Sequence, residues 1–305
     1  MINRREFLAS IAAGGLLAST AAMSGASSRA GSASPRFQLN YAPHFGMFRH
    51  SGGDDLLDQL RFAADEGFVA FEDNGLRSRS LAFQDRMRRE MDRRGMQMGL
   101  FVGTADFANP TFASGRSDVR QKVLADMRLA AQTARRMNGR WCSVILGKSD
   151  SRLSRRQQTV NAVDLLRRCA DICEPAGLVM LLEPIGHLGS AAGLFLRSLP
   201  QAHEICCAVN RPSCKILLDV YWQQNAGANI FDQLRRYGSQ IAYIQVGDNP
   251  GRKEPGTGSF DFQSLFRWLR EQRYQGIVGM EHGNFLPGRR GEQAVIEAYL
   301  RHDAE

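Results

Sequence analysis

The chain has 305 residues, of which 43% are hydrophobic and 23% are charged, and its formal net charge is +8. This is a globular composition rather than a disordered one, with enough apolar residues for a large buried core. The basic residues are spread over helical segments such as 86–94 and 135–140, without interleaved aromatic residues. The charge therefore indicates solvated helix faces and no nucleic-acid groove.

The amino terminus predicts an export signal. Arg4 and Arg5 precede an Ala/Gly/Leu-rich run that extends to about Met23, and small residues suited to cleavage follow. This order is typical of a twin-arginine (Tat) signal peptide. The apolar run is too short and too rich in Ala and Gly for a stable membrane span, although an uncleaved anchor is the alternative. The prediction is a cleavable signal over 1–33, a mature domain over 34–305 and a periplasmic location.

The six cysteines do not form a recognisable disulfide framework. Cys169 and Cys173 are four residues apart on a predicted helix, and Cys206 and Cys207 are adjacent. None belongs to a CxxC motif. We expect most of them to fill apolar space, and the spacing leaves any pairing open.

Eight short apolar runs recur along the mature chain, each followed by a loop and a segment with helical periodicity. The runs cover 37–41, 68–72, 96–102, 141–146, 178–183, 215–220, 241–246 and 276–281. Eight strands alternating with helices predict an α/β fold, a single (β/α)8 TIM barrel. A doubly wound open sheet is the alternative, but the residues after the first run, 41–44, do not form its nucleotide-binding glycine turn.

Polar side chains end four successive runs. These are Glu183, Asp219, Gln245 and Glu281. The carboxyl ends of barrel strands meet at one mouth, where three carboxylates would repel each other unless a cation joined them. Oxygen ligands suit Mg²⁺ or Mn²⁺. Each residue alone is explained as well by a helix cap or a rim ion pair, and it is the repeated position that favours a shared divalent ion.

The seventh run continues into a loop that contains a candidate substrate-binding cation. Arg252 lies between glycines that allow tight turns, and its planar guanidinium could bind a carboxylate with two parallel hydrogen bonds. A merely solvated surface arginine is the alternative. Gln245 lies in a buried strand and therefore needs a polar partner.

These segments resemble the hydroxypyruvate isomerases, a family within the xylose isomerase-like TIM barrel superfamily. The resemblance is dense over 178–282, and its most specific part is the sequence DNPGR followed by EPGTG. It implies an intramolecular oxidoreductase that interconverts hydroxypyruvate and tartronate semialdehyde (2-hydroxy-3-oxopropanoate) through an enediolate.

The resemblance also implies roles for particular residues. One Mg²⁺ or Mn²⁺ would be held by the four residues Glu183, Asp219, Gln245 and Glu281. Glu183 and Glu281 would also act as proton donor and acceptor, and Arg252 would hold the substrate carboxylate.

Three positions depart from the family pattern. Trp222 and Lys253 stand where histidines are usual, and Ser259 stands where Glu is usual. The family histidine at position 222 contacts substrate, so Trp222 is a candidate substrate contact and the substrate itself is left open. Glu72 and His187 are further candidates for substrate binding at the mouth.

Other functions fit parts of the sequence. A sugar isomerase or ketose 3-epimerase of the same superfamily would use the same four ligands in a longer pocket, with Trp222 as a stacking wall. A non-catalytic periplasmic binding protein would not need both glutamates. A DNA-repair endonuclease would need several metals and many histidines, and the six here are poorly placed. The expected partner is a small molecule, and a homo-oligomer is left open.

Overall fold

The computed structural model of the chain describes residues 36–186 and 193–304. The predicted signal segment and His187 lie outside the described residues. The strands in these ranges are β1 Asn40–Ala42, β2 Ala70–Phe71, β3 Gln97–Met98, β4 Leu100–Thr104, β5 Trp141–Val144, β6 Val179–Leu182, β7 Cys214–Asp219, β8 Ile241–Val246 and β9 Ile277–Met280. The helices are α1 Arg49–Gly52, α2 Leu56–Asp65, α3 Leu81–Arg94, α4 Ser117–Met137, α5 Arg155–Cys173, α6 Leu199–Val209, α7 Val220–Asn225, α8 Ile230–Tyr237, α9 Phe262–Glu271 and α10 Gly288–Asp303.

The strands form a closed parallel barrel. One sheet has the order β1-β9-β8-β7-β6-β5-β4, and β2 pairs in parallel with β3. Only Gly99 separates β3 from β4, so these two strands occupy one position in the ring. A parallel bridge between His44 and Glu72 connects the end of β1 to the end of β2 and completes the ring. The predicted eight-position barrel is confirmed.

The inside of the barrel is filled by side chains in layers. Leu100, Leu181, Leu217, Tyr243 and Ile277 belong to one buried cluster inside the ring. Successive side chains of a strand point to opposite faces, so residues two apart share the inward face. The larger hydrophobic core lies between the strands and the helices. The cluster inside the ring and the core outside it together hold the strand ends in place. The polar side chains at the carboxyl ends of the strands form the carboxyl mouth.

Several helices begin or end at residues suited to capping. Ser80 and Ser154 accept hydrogen bonds at the starts of α3 and α5, and Gly95 ends α3 with a φ of 67°. At the end of α4 the left-handed residue is Asn138, with a φ of 50°, and not the glycine that follows it. Asn tolerates this conformation because its short polar side chain can bond locally.

All six cysteines are free, and Cys207 alone among them is exposed. Their burial fits the expected role as small apolar fillers. Among the residues that the structure describes, no helix combines the length and the apolar character that a membrane crossing needs.

Phe266 on α9 joins the helix layer to β1 and α10. It is fully buried, and its ring lies 5.3 Å from that of Tyr41 and 6.1 Å from that of Tyr299. We expect Phe266→Ala to lower the free energy of unfolding by about 3–5 kcal/mol, because it opens a cavity at this junction. The measurement is denaturant unfolding followed by circular dichroism. The matched control is Phe285→Ala, since Phe285 is 62% exposed and should change stability by less than about 0.5 kcal/mol; equal losses in both would contradict the assignment.

Candidate active site

Three carboxylates converge at the carboxyl mouth of the barrel. Glu183 follows β6, Asp219 ends β7 and Glu281 follows β9. One oxygen from each lies within 4.8 Å of the other two. Oxygens at this separation can all reach one ion at ligand distances of about 2.0–2.6 Å. The convergence predicted from the strand ends is therefore present.

Gln245 lies beside this cluster on β8. In the sheet register it pairs with Asp219 on one side and Gly279 on the other. Its Nε2 donates a hydrogen bond of 3.0 Å to Glu72 Oε2, which supplies the polar partner expected from the sequence. Its Oε1 is buried and accepts no hydrogen bond from the described residues. A buried amide oxygen without a partner is costly, by about 1–3 kcal/mol, and it is the kind of ligand that a hard cation prefers.

Glu72 holds Gln245 in this orientation. Tyr243 donates a hydrogen bond of 2.6 Å to Glu72 Oε1, so protein donors contact both carboxylate oxygens. Burial raises the pKa of Glu72 to about 8, and the two hydrogen bonds oppose that shift. A Cβ atom on Gly279 would lie 2.1 Å from Glu72 Oε1, so a glycine is required there. The role of Glu72 in substrate binding stays a prediction, and the structure adds a role in orienting Gln245.

Arg252 is the cation nearest to the carboxylates. Its Nη2 lies 2.6 Å from Asp219 Oδ2 and 3.0 Å from Glu281 Oε2, and its Nε donates to the Glu281 carbonyl at 3.1 Å. The guanidinium also lies over the rings of Tyr221 and Trp222, at 4.9 and 5.1 Å from their centroids. In the described part of the chain Nη1 has no hydrogen bond. The arginine thus reaches the mouth as predicted, with Nη1 left for a further acceptor.

The charges at the mouth do not balance within the protein. If all three carboxylates are ionised, the Arg252 guanidinium leaves two negative charges uncompensated, which a divalent cation would neutralise. Burial and the neighbouring Glu281 and Asp219 carboxylates raise the pKa of Glu183 well above its usual range. Burial also raises the pKa of Glu281, against the opposing effects of Arg252 and His44. The donor set and the excess negative charge both fit a divalent ion.

Trp222 contacts Glu183 directly. Its Nε1 donates a hydrogen bond of 3.1 Å to Glu183 Oε1. Its ring packs against Ile145, Ile185 and Leu194. The residue that departs from the family pattern therefore orients one of the predicted proton-transfer groups.

Two further residues, Tyr243 and His44, contact the groups of the site. The sequence places Tyr243 in a buried strand and indicates no polar role, yet its hydroxyl donates to Glu72. Its position two residues before Gln245 on β8 puts both side chains on the same face of the strand, and this is the signal that identifies it. His44 lies close enough to Glu281 to lower the pKa of that carboxyl, and its Nε2 is 3.1 Å from the His282 carbonyl oxygen.

One protein family matches most of the chain. A family model described as "Xylose isomerase-like TIM barrel" matches residues 60–301. The chain belongs to this family.

Two curated relatives narrow the similarity to isomerases. The hydroxypyruvate isomerase of Escherichia coli K12 is 29% identical over 153 residues, which cover 50% of this chain and 59% of that protein. A putative hydroxypyruvate isomerase of Xenopus laevis is 36% identical over 121 residues, which cover 39% of this chain and 44% of that protein. The chain thus spans about half the length of the curated relatives it matches.

Two solved structures share the fold. A family 2 AP endonuclease from Brucella melitensis superposes with a TM-score of 0.72 at 22% identity, covering 83% of this chain and 96% of that one. The 3-keto-D-glucoside 4-epimerase of E. coli superposes with a TM-score of 0.70 at 19% identity, covering 87% and 99%. At these identities the likeness establishes the barrel and nothing about the reaction.

The hydrogen bond from Gln245 to Glu72 gives a testable prediction. In Glu72→Gln one of the two acceptor oxygens becomes an NH2 donor. Residue 72 then can no longer accept hydrogen bonds from both Tyr243 and Gln245, so the amide of Gln245 loses its fixed orientation. We expect the affinity for Mn²⁺ to fall about 10- to 100-fold, the usual effect of losing a group that orients a ligand. Isothermal titration calorimetry with Mn²⁺ measures this directly.

The matched control is Asp73→Asn. Asp73 is the next residue and is also buried, but its carboxylate pairs with Arg79 at 3.0 Å and does not contact Gln245. This variant should bind Mn²⁺ nearly as tightly as the parent. A similar loss in both variants would show that the effect comes from general disturbance of this strand end.

Proposed function

We propose that the chain is a divalent-metal-dependent isomerase that interconverts hydroxypyruvate and tartronate semialdehyde, or a similarly small hydroxy-carbonyl acid. The single observation that carries the proposal is the cluster of Glu183, Asp219 and Glu281 oxygens beside the unpartnered amide oxygen of Gln245. The similarity to proteins named hydroxypyruvate isomerase supports the choice of reaction.

Four residues would hold the ion, which would be Mg²⁺ or Mn²⁺. They are Glu183, Asp219, Gln245 and Glu281. When bound, the ion supplies Lewis-acid stabilisation of the negative charge that develops on the two substrate oxygens, an effect worth several kcal/mol.

The glutamates carry the proton transfer. Hydroxypyruvate becomes tartronate semialdehyde when a proton leaves C3, a proton is returned to C2 and the hydroxyl proton passes from O3 to O2, with an enediolate between the two carbon proton transfers and no net oxidation. Glu183 and Glu281 have oxygens within 4.8 Å of each other, so they can flank two adjacent carbons. One removes the proton and the other delivers it, which is typically worth about 10²- to 10⁴-fold in rate.

Arg252 and Trp222 position these groups. Arg252 keeps Nη1 for the substrate carboxylate while its other nitrogens hold Asp219 and Glu281. Trp222 holds Glu183 Oε1. An indole N–H only donates, so it cannot take the proton that Glu183 carries.

A ketose 3-epimerase or sugar isomerase is the second candidate. The observation that favours it is a cavity of about 420 Å³ beside Trp222, whose lining includes Arg155, Arg197 and Asn225. This space offers polar groups to a carbon chain longer than that of hydroxypyruvate.

Exchange of substrate hydrogen with solvent tests the proposal. The mature protein with Mn²⁺ in D₂O should incorporate deuterium into hydroxypyruvate and form the aldehyde, both followed by NMR. Glu183→Gln and Glu281→Gln should each lower exchange by at least about 10²-fold, since an amide cannot carry the proton. Chelation should stop the reaction, and Mn²⁺ should restore it.

Glu174→Gln is the control, because Glu174 is part of the opposite end of the barrel, where it contacts Arg211 and Ser213. Full exchange by the chelated protein or by Glu183→Gln would overturn the proposal. Turnover of ketoses but not of hydroxypyruvate would favour the second candidate. Binding of these compounds with metal present and no turnover would favour a binding protein.

We further propose that residues 1–33 direct export to the periplasm by the twin-arginine route. The basis is the order of Arg4-Arg5, an apolar run and small residues. Mass spectrometry of the periplasmic fraction should find a mature amino terminus near residue 34, and replacing both arginines by lysine should retain the precursor in the cytoplasm. An unprocessed cytoplasmic parent protein would contradict this.

A further inference from the structure

A second cavity lies at the amino end of the barrel, opposite the carboxylates. Its volume is about 1410 Å³. Its floor is formed by residues near the starts of four strands, which are Trp141, Val179, Lys215 and Ile277. Lys215 and Asp219 are four residues apart on β7, which separates them by about 13 Å along the strand. We call this cavity the amino-end bowl; it does not overlap the carboxyl mouth.

Arg140 and Lys215, two of the cations that line the bowl, have no acidic partner, and Arg135, which also lines it, donates to the Pro175 carbonyl oxygen at 3.4 Å. In the described part of the chain, the Arg140 side chain forms neither a hydrogen bond nor an ion pair, and its guanidinium carbon lies 4.7 Å from the centroid of the Trp141 ring. Lys215 Nζ contacts only uncharged oxygens, Ser239 O at 3.4 Å and Gln240 Oε1 at 3.0 Å. Both side chains are half-buried.

Arg88, another basic residue that lines this cavity, shows the contrast. Arg88 pairs with Asp92 at 2.5 Å. The two carboxylates that line the bowl, Asp92 and Glu174, pair with Arg88 and Arg211, so neither compensates the charge of Arg140 or Lys215. Burial lowers the pKa of both Arg140 and Lys215, as expected for cations that have lost water without gaining a carboxylate.

A partly desolvated cation is stabilised by an anion that enters its site. Arg140 offers planar N–H donors suited to an acid group, and Lys215 adds a point charge. The floor beneath them is apolar and aromatic, through Trp141, Val179 and Ile277. The bowl would thus suit a molecule that has both an acid group and a flat apolar part.

We propose that the amino-end bowl binds a small organic anion, with its carboxylate at Arg140 and Lys215 and a flat apolar body against Trp141 and Ile277. This inference does not depend on the proposed isomerase activity, because none of its residues belongs to the mouth.

Calorimetric titration of the full chain with 2-naphthoate tests it. The uncharged comparator is 2-naphthamide, which has nearly the same shape. We expect saturable binding of the acid and at least about tenfold weaker binding of the amide, since a charge-assisted hydrogen bond is lost. Arg140→Gln and Lys215→Met should each weaken binding of the acid by about tenfold or more.

Three further variants make the outcome unambiguous. Arg128→Gln removes one positive charge from an exposed site on α4 and should leave binding unchanged. Arg252→Gln removes the cation at the mouth and should also leave it unchanged. Arg140→Lys keeps the charge and should bind within a few-fold of the parent, which separates loss of charge from loss of folding.

The proposal is overturned if 2-naphthoate gives no saturable binding, or if the amide binds as tightly as the acid. It is also overturned if Arg252→Gln abolishes binding while Lys215→Met does not, because the acid would then occupy the mouth. If Arg128→Gln weakens binding of the acid as much as Lys215→Met does, the effect comes from the net charge of the protein, and the proposal is likewise rejected.

Discussion

The repulsion among Glu183, Asp219 and Glu281 is the constraint on which the rest of the site depends. Like charges 4.8 Å apart repel by roughly 3 kcal/mol per pair at an effective dielectric constant of about 20. Arg252 offsets part of this with contacts of 2.6 and 3.0 Å to two of the carboxylates. The remaining negative charge has to be reduced by protonation or by a bound cation. Three carboxylates without a structural task would be unfavourable in this position, which is why their convergence points to chemistry.

The layer beneath the mouth makes the arrangement rigid. Tyr243 on β8 donates to Glu72 and accepts from the Leu100 backbone N–H of β4 at 3.2 Å. The hydroxyl that holds Glu72 is therefore itself held by a second strand. Glu72 in turn fixes the amide of Gln245. The ring of Tyr243 also meets the ring of Trp141 edge-on at 6.0 Å, in the floor of the amino-end bowl. One aromatic side chain thus contacts both the support of the carboxylate cluster and the floor of the opposite cavity.

The two ends of the barrel differ in charge because of the period of the strands. On β7, Lys215, Leu217 and Asp219 share the inward face, so the strand carries a cation at its amino end, an apolar residue in the middle and an anion at its carboxyl end. The middle residue belongs to the buried cluster that separates the two ends. On this strand the buried apolar residue thus separates the Asp219 carboxylate of the mouth from the Lys215 cation of the bowl.

The sequence by itself determined the barrel and the convergence of the carboxylates. Apolar runs alternate with helical segments, and polar residues at the ends of parallel strands must meet at one edge.

Only the tertiary structure decided which side chains pair. Glu72 and Gln245 are 173 residues apart in the chain, and Trp222 and Glu183 are 39 apart. Sequence spacing gives no distance across a barrel, because such contacts depend on the register and tilt of neighbouring strands and on the rotamer each side chain adopts in the packed core. For the same reason the sequence does not predict the contact of Arg252 with Asp219. It also does not predict that the cations of the bowl lack acidic partners.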